Sequence, residues 1–219
     1  ILSASCTDRL DNDVTTDTLT DVTFAIDVET ASLTRAISDG TGATQLMWAI
    51  FSEDGELLVK KSVINDADAL ISEQGYTLST KLTKGQTYKA TFWAQNQNCT
   101  AYAVSDDMKV TVDYNGINND ESRDAFYATS DVFSVNSPSI VTVTLRRPFA
   151  QVNVGANEWD VEYAKEAGME VKTSSATVKA VPNCINLFDG SLEGAVDVVY
   201  TASAKPEEYL TVDVDRNGE

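Results

Sequence analysis

Residues 22–28, Val22-Thr23-Phe24-Ala25-Ile26-Asp27-Val28, put an apolar side chain at every second position. Val22, Phe24, Ile26 and Val28 therefore share one face of an extended strand, because successive side chains of a strand point to opposite faces. Short runs of this kind, rich in Val, Thr, Ile, Tyr and Phe, recur along the chain. Clusters of Gly, Asn, Asp and Ser separate them. Such spacing predicts an all-β sandwich and leaves little room for a helical or α/β architecture. Glu53-Asp54-Gly55 between 45–52 and 56–63, and Thr83-Lys84-Gly85-Gln86 between 76–82 and 87–95, read as hairpin turns. In the second hairpin Tyr88, Ala90, Phe92 and Ala94 alternate with Lys89, Thr91 and Gln95, and Trp93 breaks the pattern. Trp93 is expected to cover a sheet edge. Further strands are expected at 108–114, 140–145, 150–154, 171–181, 184–188 and 195–202.

A short helix is expected around 67–71, ended by Gly75, and another at 158–167, closed by Gly168. Residues 115–124 read as a polar loop. Arg146-Arg147-Pro148-Phe149 reads as a boundary, since proline cannot continue a central ladder. The expected division is 1–5, 6–19 as an acidic tether, 20–147 as a first sandwich, and 148–219 as a second. The second unit falls short of the ~100 residues of such a sandwich, so its completing strands are expected beyond the sequence.

The first residues carry a separate signal. Leu2-Ser3-Ala4-Ser5-Cys6 resembles the end of a bacterial lipoprotein signal peptide, with small residues ahead of a cysteine and the polar run Thr7-Asp8-Arg9 after it. On that reading residues 1–5 are the end of the signal, and the thiol of Cys6 carries the lipid that anchors the chain to the outer membrane. Two or more acyl chains at about 0.8 kcal/mol per buried methylene hold a protein stably, where one does not.

Charge and composition narrow the function. With 34 acidic and 16 basic residues the formal charge is −18, which repels nucleic acid phosphates and anionic membranes. The chain has no histidine, which excludes a Ser-His-Asp triad, a Cys-His dyad and histidine-ligated zinc within these residues. No Gly-x-Ser-x-Gly elbow occurs, and no carboxylate pair stands out as a glycosidase pair. No catalytic residue, cofactor or metal ligand is assigned. Asp213-Val214-Asp215-Arg216-Asn217-Gly218 matches half of a calcium loop, but an Asn-Gly hairpin turn is the simpler reading. Asn119-Asp120-Glu121 with Asp124 reads as a solvated loop, and Asp11, Asp13 and Asp17 belong to the tether. Cys99 and Cys184 read as free thiols, although a disulfide between them is compatible with an oxidising compartment. Asn98-Cys99-Thr100 fits a eukaryotic glycosylation pattern, and Asp17-Thr18-Leu19 fits an O-glycosylation pattern. Trp48, Trp93 and Trp159 could form a sugar-stacking platform, but their periodic or helical settings predict core or edge packing.

Three segments carry a family resemblance. They are LTRAISDGTGATQLMWAIFSEDGELL (33–58), RRPFAQVNVG (146–155) and CINLFDGSLEG (184–194). Together with the start of the chain they resemble the fimbrillin-like surface lipoproteins of Bacteroides and its relatives. The resemblance implies two transthyretin-like β-sandwich domains, export as a lipoprotein, and cleavage by an arginine-specific protease after an Arg that follows the first strand. By position that Arg is Arg35, followed by Ala36, in a link rich in small residues and glycine. The strand bearing Val22, Phe24, Ile26 and Val28 is then a removable plug. A strand from another subunit takes its place, and the chain is a structural or adhesive subunit of a cell-surface fimbria. The implied partners are other fimbrial subunits, outer-membrane lipid through Cys6, and a host or bacterial surface receptor. The alternative from a different class is a surface glycan-binding lipoprotein of a polysaccharide-uptake system. An exposed coplanar aromatic pair would favour that alternative.

Overall fold

The structure is a computed structural model that describes residues 18–28, 42–65, 75–115, 121–149, 158–169 and 174–202. The strands run in the order β1 (Leu19–Val28), β2 (Gln45–Ser52), β3 (Leu57–Asn65), β4 (Tyr76–Thr83), β5 (Gln86–Gln95), β6 (Tyr102–Val104), β7 (Lys109–Val112), β8 (Ala125–Thr129), β9 (Phe133–Val135) and β10 (Ser139–Leu145). Then come α1 (Glu158–Glu166), β11 (Ser174–Val181), β12 (Cys184–Asn186), β13 (Leu192–Glu193) and β14 (Val196–Ala202). The chain is all-β apart from α1 and one 3-10 turn, Glu121–Arg123. The expected helix at 67–71 and the expected strand at 150–154 lie outside the described residues.

Three sheets stack in layers. The front sheet has the order β10-β1-β4, and the middle sheet the order β3-β2-β5-β8 with β9 also paired to β5. The back sheet has the order β13-β12-β7-β6. A ribbon of β11 and β14 stands apart. The back sheet joins strands from both sides of Pro148, with Cys184 opposite Thr111 and Ile185 opposite Val110.

The middle sheet is covered on both faces, and its sequence shows why. In β2 the run Leu46-Met47-Trp48-Ala49-Ile50-Phe51 is apolar at every position, as expected of a strand with no solvent face. Leu46, Trp48 and Ile50 enter the front core with Val22, Phe24, Ile26, Phe92, Phe126 and Leu145. Met47, Ala49 and Phe51 point the other way, into a back core with Trp93, Met108, Val110, Ile185 and Leu187. This corrects the expectation for Trp93. It does not cover an edge: its side chain is fully buried between the middle and back sheets. Its indole N–H donates to Gln95 Oε1 at 2.8 Å, and its ring meets Tyr102 edge-on at 5.2 Å. The buried Gln95 supplies the acceptor that an indole needs when it leaves water.

Of the two expected hairpins, the first is present, with β2 and β3 paired antiparallel across Glu53-Asp54-Gly55. The second is not a hairpin, because the turn at 83–86 carries the chain from β4 in the front sheet to β5 in the middle sheet, and those two strands do not pair with each other. At the first, Ser52 N–H donates to Glu56 O at 2.8 Å and Gly55 N–H to Ser52 O at 3.1 Å. Gly55 has φ +89°, and a Cβ there would sit 3.0 Å from the Phe188 ring, so glycine serves both the turn and the packing. The expected closure of α1 is also present, with Gly168 at φ +76°.

Candidate functional site

β1 has the position of a central strand although it is the first of the described strands. It pairs in parallel with β10, Val22 opposite Ser139 through Val28 opposite Leu145. On its other side it pairs antiparallel with β4, Leu19 opposite Thr83 through Ile26 opposite Tyr76. The two neighbours touch the same sheet only through β1. Val22 and Phe24 are fully buried and Ile26 nearly so, while Val28 packs against the core from its margin and is half-buried. Phe24 meets Phe92 at 5.2 Å and Phe133 at 5.8 Å, both near-perpendicular ring contacts. The opposite face of the front sheet is mostly polar, with Ile140 and Leu19 exposed on it. Thr23 Oγ1 lies 3.1 Å from Ser79 Oγ, and Lys81 lies 3.7 Å from Asp21, both of that pair largely exposed.

Burying three such side chains contributes roughly 4–9 kcal/mol before ordering entropy is charged. Most of what holds β1 is therefore side-chain burial and two backbone ladders. Any extended segment that offered the same alternation could supply both kinds of contact. Gly75 closes the β4 side of this groove. Its φ is +71°, and a Cβ there would collide with Asp27 Oδ1 and lie 2.8 Å from the Ile26 carbonyl.

The remaining sequence-derived positions fall unevenly. Cys6, Arg9, Arg35, Ala36, Asp11, Asp13, Asp17, Asn119, Asp120 and the 213–218 loop lie outside the described residues. Thr18 is exposed, and its carbonyl accepts from Lys84 N–H at 2.8 Å at the start of β1. Arg123 is tied down: its guanidinium donates to the carbonyls of Asp113 and Asn115, each at 2.7 Å. Asp124 is ion-paired rather than a solvated loop carboxylate. It accepts from Arg147 at 3.1 Å, and that guanidinium also lies 4.9 Å above the Phe126 ring. Cys99 and Cys184 are free and half-buried. Among the described residues no three ligating side chains gather as a metal site.

The tryptophans do not form one platform. Trp48 belongs to the front core and Trp93 to the back core. Trp159 departs from the expectation of core or edge packing: it is 64% exposed on α1. A polar cleft of about 360 Å³ separates β14 from the end of β7, with Asp113, Tyr114, Asn183 and Asp197 on its walls. Burial raises the Tyr114 pKa, with Tyr200 adding to the rise, and its hydroxyl donates to Pro182 O at 2.7 Å. Burial also raises Tyr102, whose hydroxyl donates to Arg123 O at 2.6 Å.

Layered β-sandwich packing, with the first strand held mid-sheet, defines this chain as an all-β sandwich protein. Its family is shown directly: residues 14–216 match the model of the family of unknown function DUF6562, to which the chain belongs. No curated protein matches it. Among solved structures, it resembles a candidate polysaccharide binding protein (DUF1812) from Bacteroides thetaiotaomicron VPI-5482. The match has 15% identity and a TM-score of 0.54, over 84% of this chain and 64% of that one. It also resembles the fimbrial anchor protein Mfa2 from Porphyromonas gingivalis, at 15% identity and a TM-score of 0.53, over 83% and 66%. The chain thus spans just under two thirds of the length of either structure. At such identity the likeness is one of fold. No helix among the described residues is long and apolar enough to cross a membrane.

Proposed function

We propose that this chain is a structural and adhesive subunit of a bacterial cell-surface fimbria, lipid-anchored through Cys6 and assembled by strand exchange at the β1 groove. The observation that carries the reading is that the first of the described strands is also the central strand of the front sheet. Its removal would leave β10 and β4 with unpaired backbone edges facing a trough lined by Phe92 and Phe133. A donor strand from another subunit would restore both ladders and place alternate side chains where Val22, Phe24 and Ile26 lie. Cleavage between Arg35 and Ala36 would free the native strand for displacement. The fold shared with a fimbrial anchor protein supports the same reading. A host or bacterial surface receptor is the further partner of such a subunit.

The test is limited digestion with an arginine-specific protease, followed by mass spectrometry and an assembly assay on the full-length protein. Cleavage after Arg35 and release of 19–28 are expected, with Arg123 spared because both its hydrogen bonds and its 3-10 turn hold it. If Arg35 resists while Arg9 is cut, or if Arg35→Ala assembles as well as wild type, strand exchange does not apply here. Cys6→Ala in the full-length gene is expected to leave the protein without metabolic lipid label, and normal labelling would refute the anchor.

A further inference from the structure

Helix α1 shows its aromatic side chains to solvent. Trp159, Glu162, Tyr163 and Glu166 stand at i, i+3, i+4 and i+7 and so form one stripe along it. All four are exposed, Trp159 at 64% and Tyr163 at 65%. Ala164, on the opposite side, is half-buried. A surface helix ordinarily buries its largest apolar side chains and shows its small and charged ones. Here two aromatic side chains one turn apart are largely exposed, and helical spacing puts a glutamate three residues after each.

We propose that this stripe is a binding platform for an uncharged saccharide. The rings offer flat apolar faces for the C–H faces of sugar rings. Glu162 and Glu166 offer acceptor-only oxygens for sugar hydroxyls, which are donors. The electrostatics exclude the anionic classes. Asp160, Glu162 and Glu166 stand against Lys165 on the helix, and the whole chain carries −18. The size argues against a stable protein partner. Two aromatic side chains present ~300–500 Å² even when fully exposed. A stable protein interface takes ~800 Å² from each side, which the stripe does not reach even with exposed Met169 added. An area of that order matches a few sugar rings. The platform stands on its own observation and does not rest on strand exchange: an uncut, unassembled chain presents it equally.

The test uses the whole chain. Trp159 is the single exposed tryptophan of the three, so its fluorescence reports the stripe. Native gels containing a neutral soluble glucan, mannan, xylan or galactan are run beside gels containing an acidic polygalacturonate. At least one neutral polymer is expected to retard the wild type. Trp159→Ala and Tyr163→Ala should lose the retardation with unchanged melting curves, and Tyr163→Phe should keep it. Oligosaccharides of the retarding polymer should shield Trp159 from acrylamide quenching. Val132→Ala, at an exposed position outside α1, should behave as wild type. The proposal is overturned if none of the neutral polymers retards the chain, if Trp159→Ala is retarded equally, or if only the acidic polymer acts. It is equally overturned if sedimentation finds self-association that Trp159→Ala abolishes, since the rings then cover a protein contact.

Discussion

Replacing Phe24 with alanine tests how much of the front layer depends on the first strand. Phe24 is fully buried and stacks edge-on against Phe92 and Phe133, which belong to the middle sheet. Its loss removes the transfer free energy of the ring and leaves a cavity between two sheets that cannot easily collapse. Phe→Ala at such sites costs ~3–5 kcal/mol. Against the roughly 4–9 kcal/mol contributed by the buried face of β1, that is about half of what fixes the strand. With a urea slope of ~2–3 kcal/mol per molar, the unfolding midpoint should fall by about 1–2 M. Thr23→Ala, on the polar face of the same strand, is the control and should cost less than ~1 kcal/mol. A Phe24→Ala shift no larger than that of Thr23→Ala would refute the reasoning, because β1 would then not be energetically coupled to the middle sheet.

Three further outcomes follow from the geometry. Gly75→Ala should lower stability by ~1–3 kcal/mol, read as a fall in melting temperature, because the position has φ +71° and a Cβ would strike Asp27 and Ile26 at the end of β1. Asp124→Ala should cost ~1–3 kcal/mol, since it removes the carboxylate paired with the partly buried guanidinium of Arg147, whereas Lys81→Ala at the exposed pair should cost less than ~0.5 kcal/mol in the same denaturation series. Tyr102 has its pKa raised by burial, with Cys99 adding to the rise, so the folded state favours the neutral phenol. Its contribution is full below the ordinary phenol pKa of ~10 and is lost as pH rises above it, so Tyr102→Phe should flatten the alkaline fall in urea midpoint; equal slopes for the two proteins would rule this out.

How legible these features were depended on whether their cause was local. The face of β1 could be read from the alternation of Val22, Phe24 and Ile26, because one strand face maps onto every second residue. The hairpin at Gly55 was legible from its turn residues, and the end of α1 from Gly168. The third layer was not. Its strands β6, β7, β12 and β13 are two to four residues long, and the pairing of Cys184 with Thr111 joins distant segments that carry no shared local mark. A signal for it was nevertheless present: the unbroken apolar run of β2, together with Trp93 on the wrong face of β5, is what burial on both faces demands. The parallel pairing of β1 with β10 likewise has no signature in either strand. At the candidate site, the apolar face was legible and its aromatic clamp was not, because Phe133 and Phe92 meet Phe24 only in three dimensions. The orientation of α1 was hidden for a different reason. Periodicity finds a helix, but which side turns inward depends on the surface it lies on.

The parallel partnership of β1 and β10 sets the order in which the chain can mature. β1 leaves the ribosome before β10, and Val22 cannot find Ser139 until roughly a hundred further residues have been made, a wait of roughly 10 s at ~5–20 residues per second. Through that interval an alternating apolar strand stands with one ladder unmade and its side chains without a finished trough. Closing so long a loop is slow, and an unmatched strand invites pairing with a neighbouring chain. The arrangement that leaves β1 waiting for β10 on the way in also gives it something to gain from a holding factor until that partner has been made.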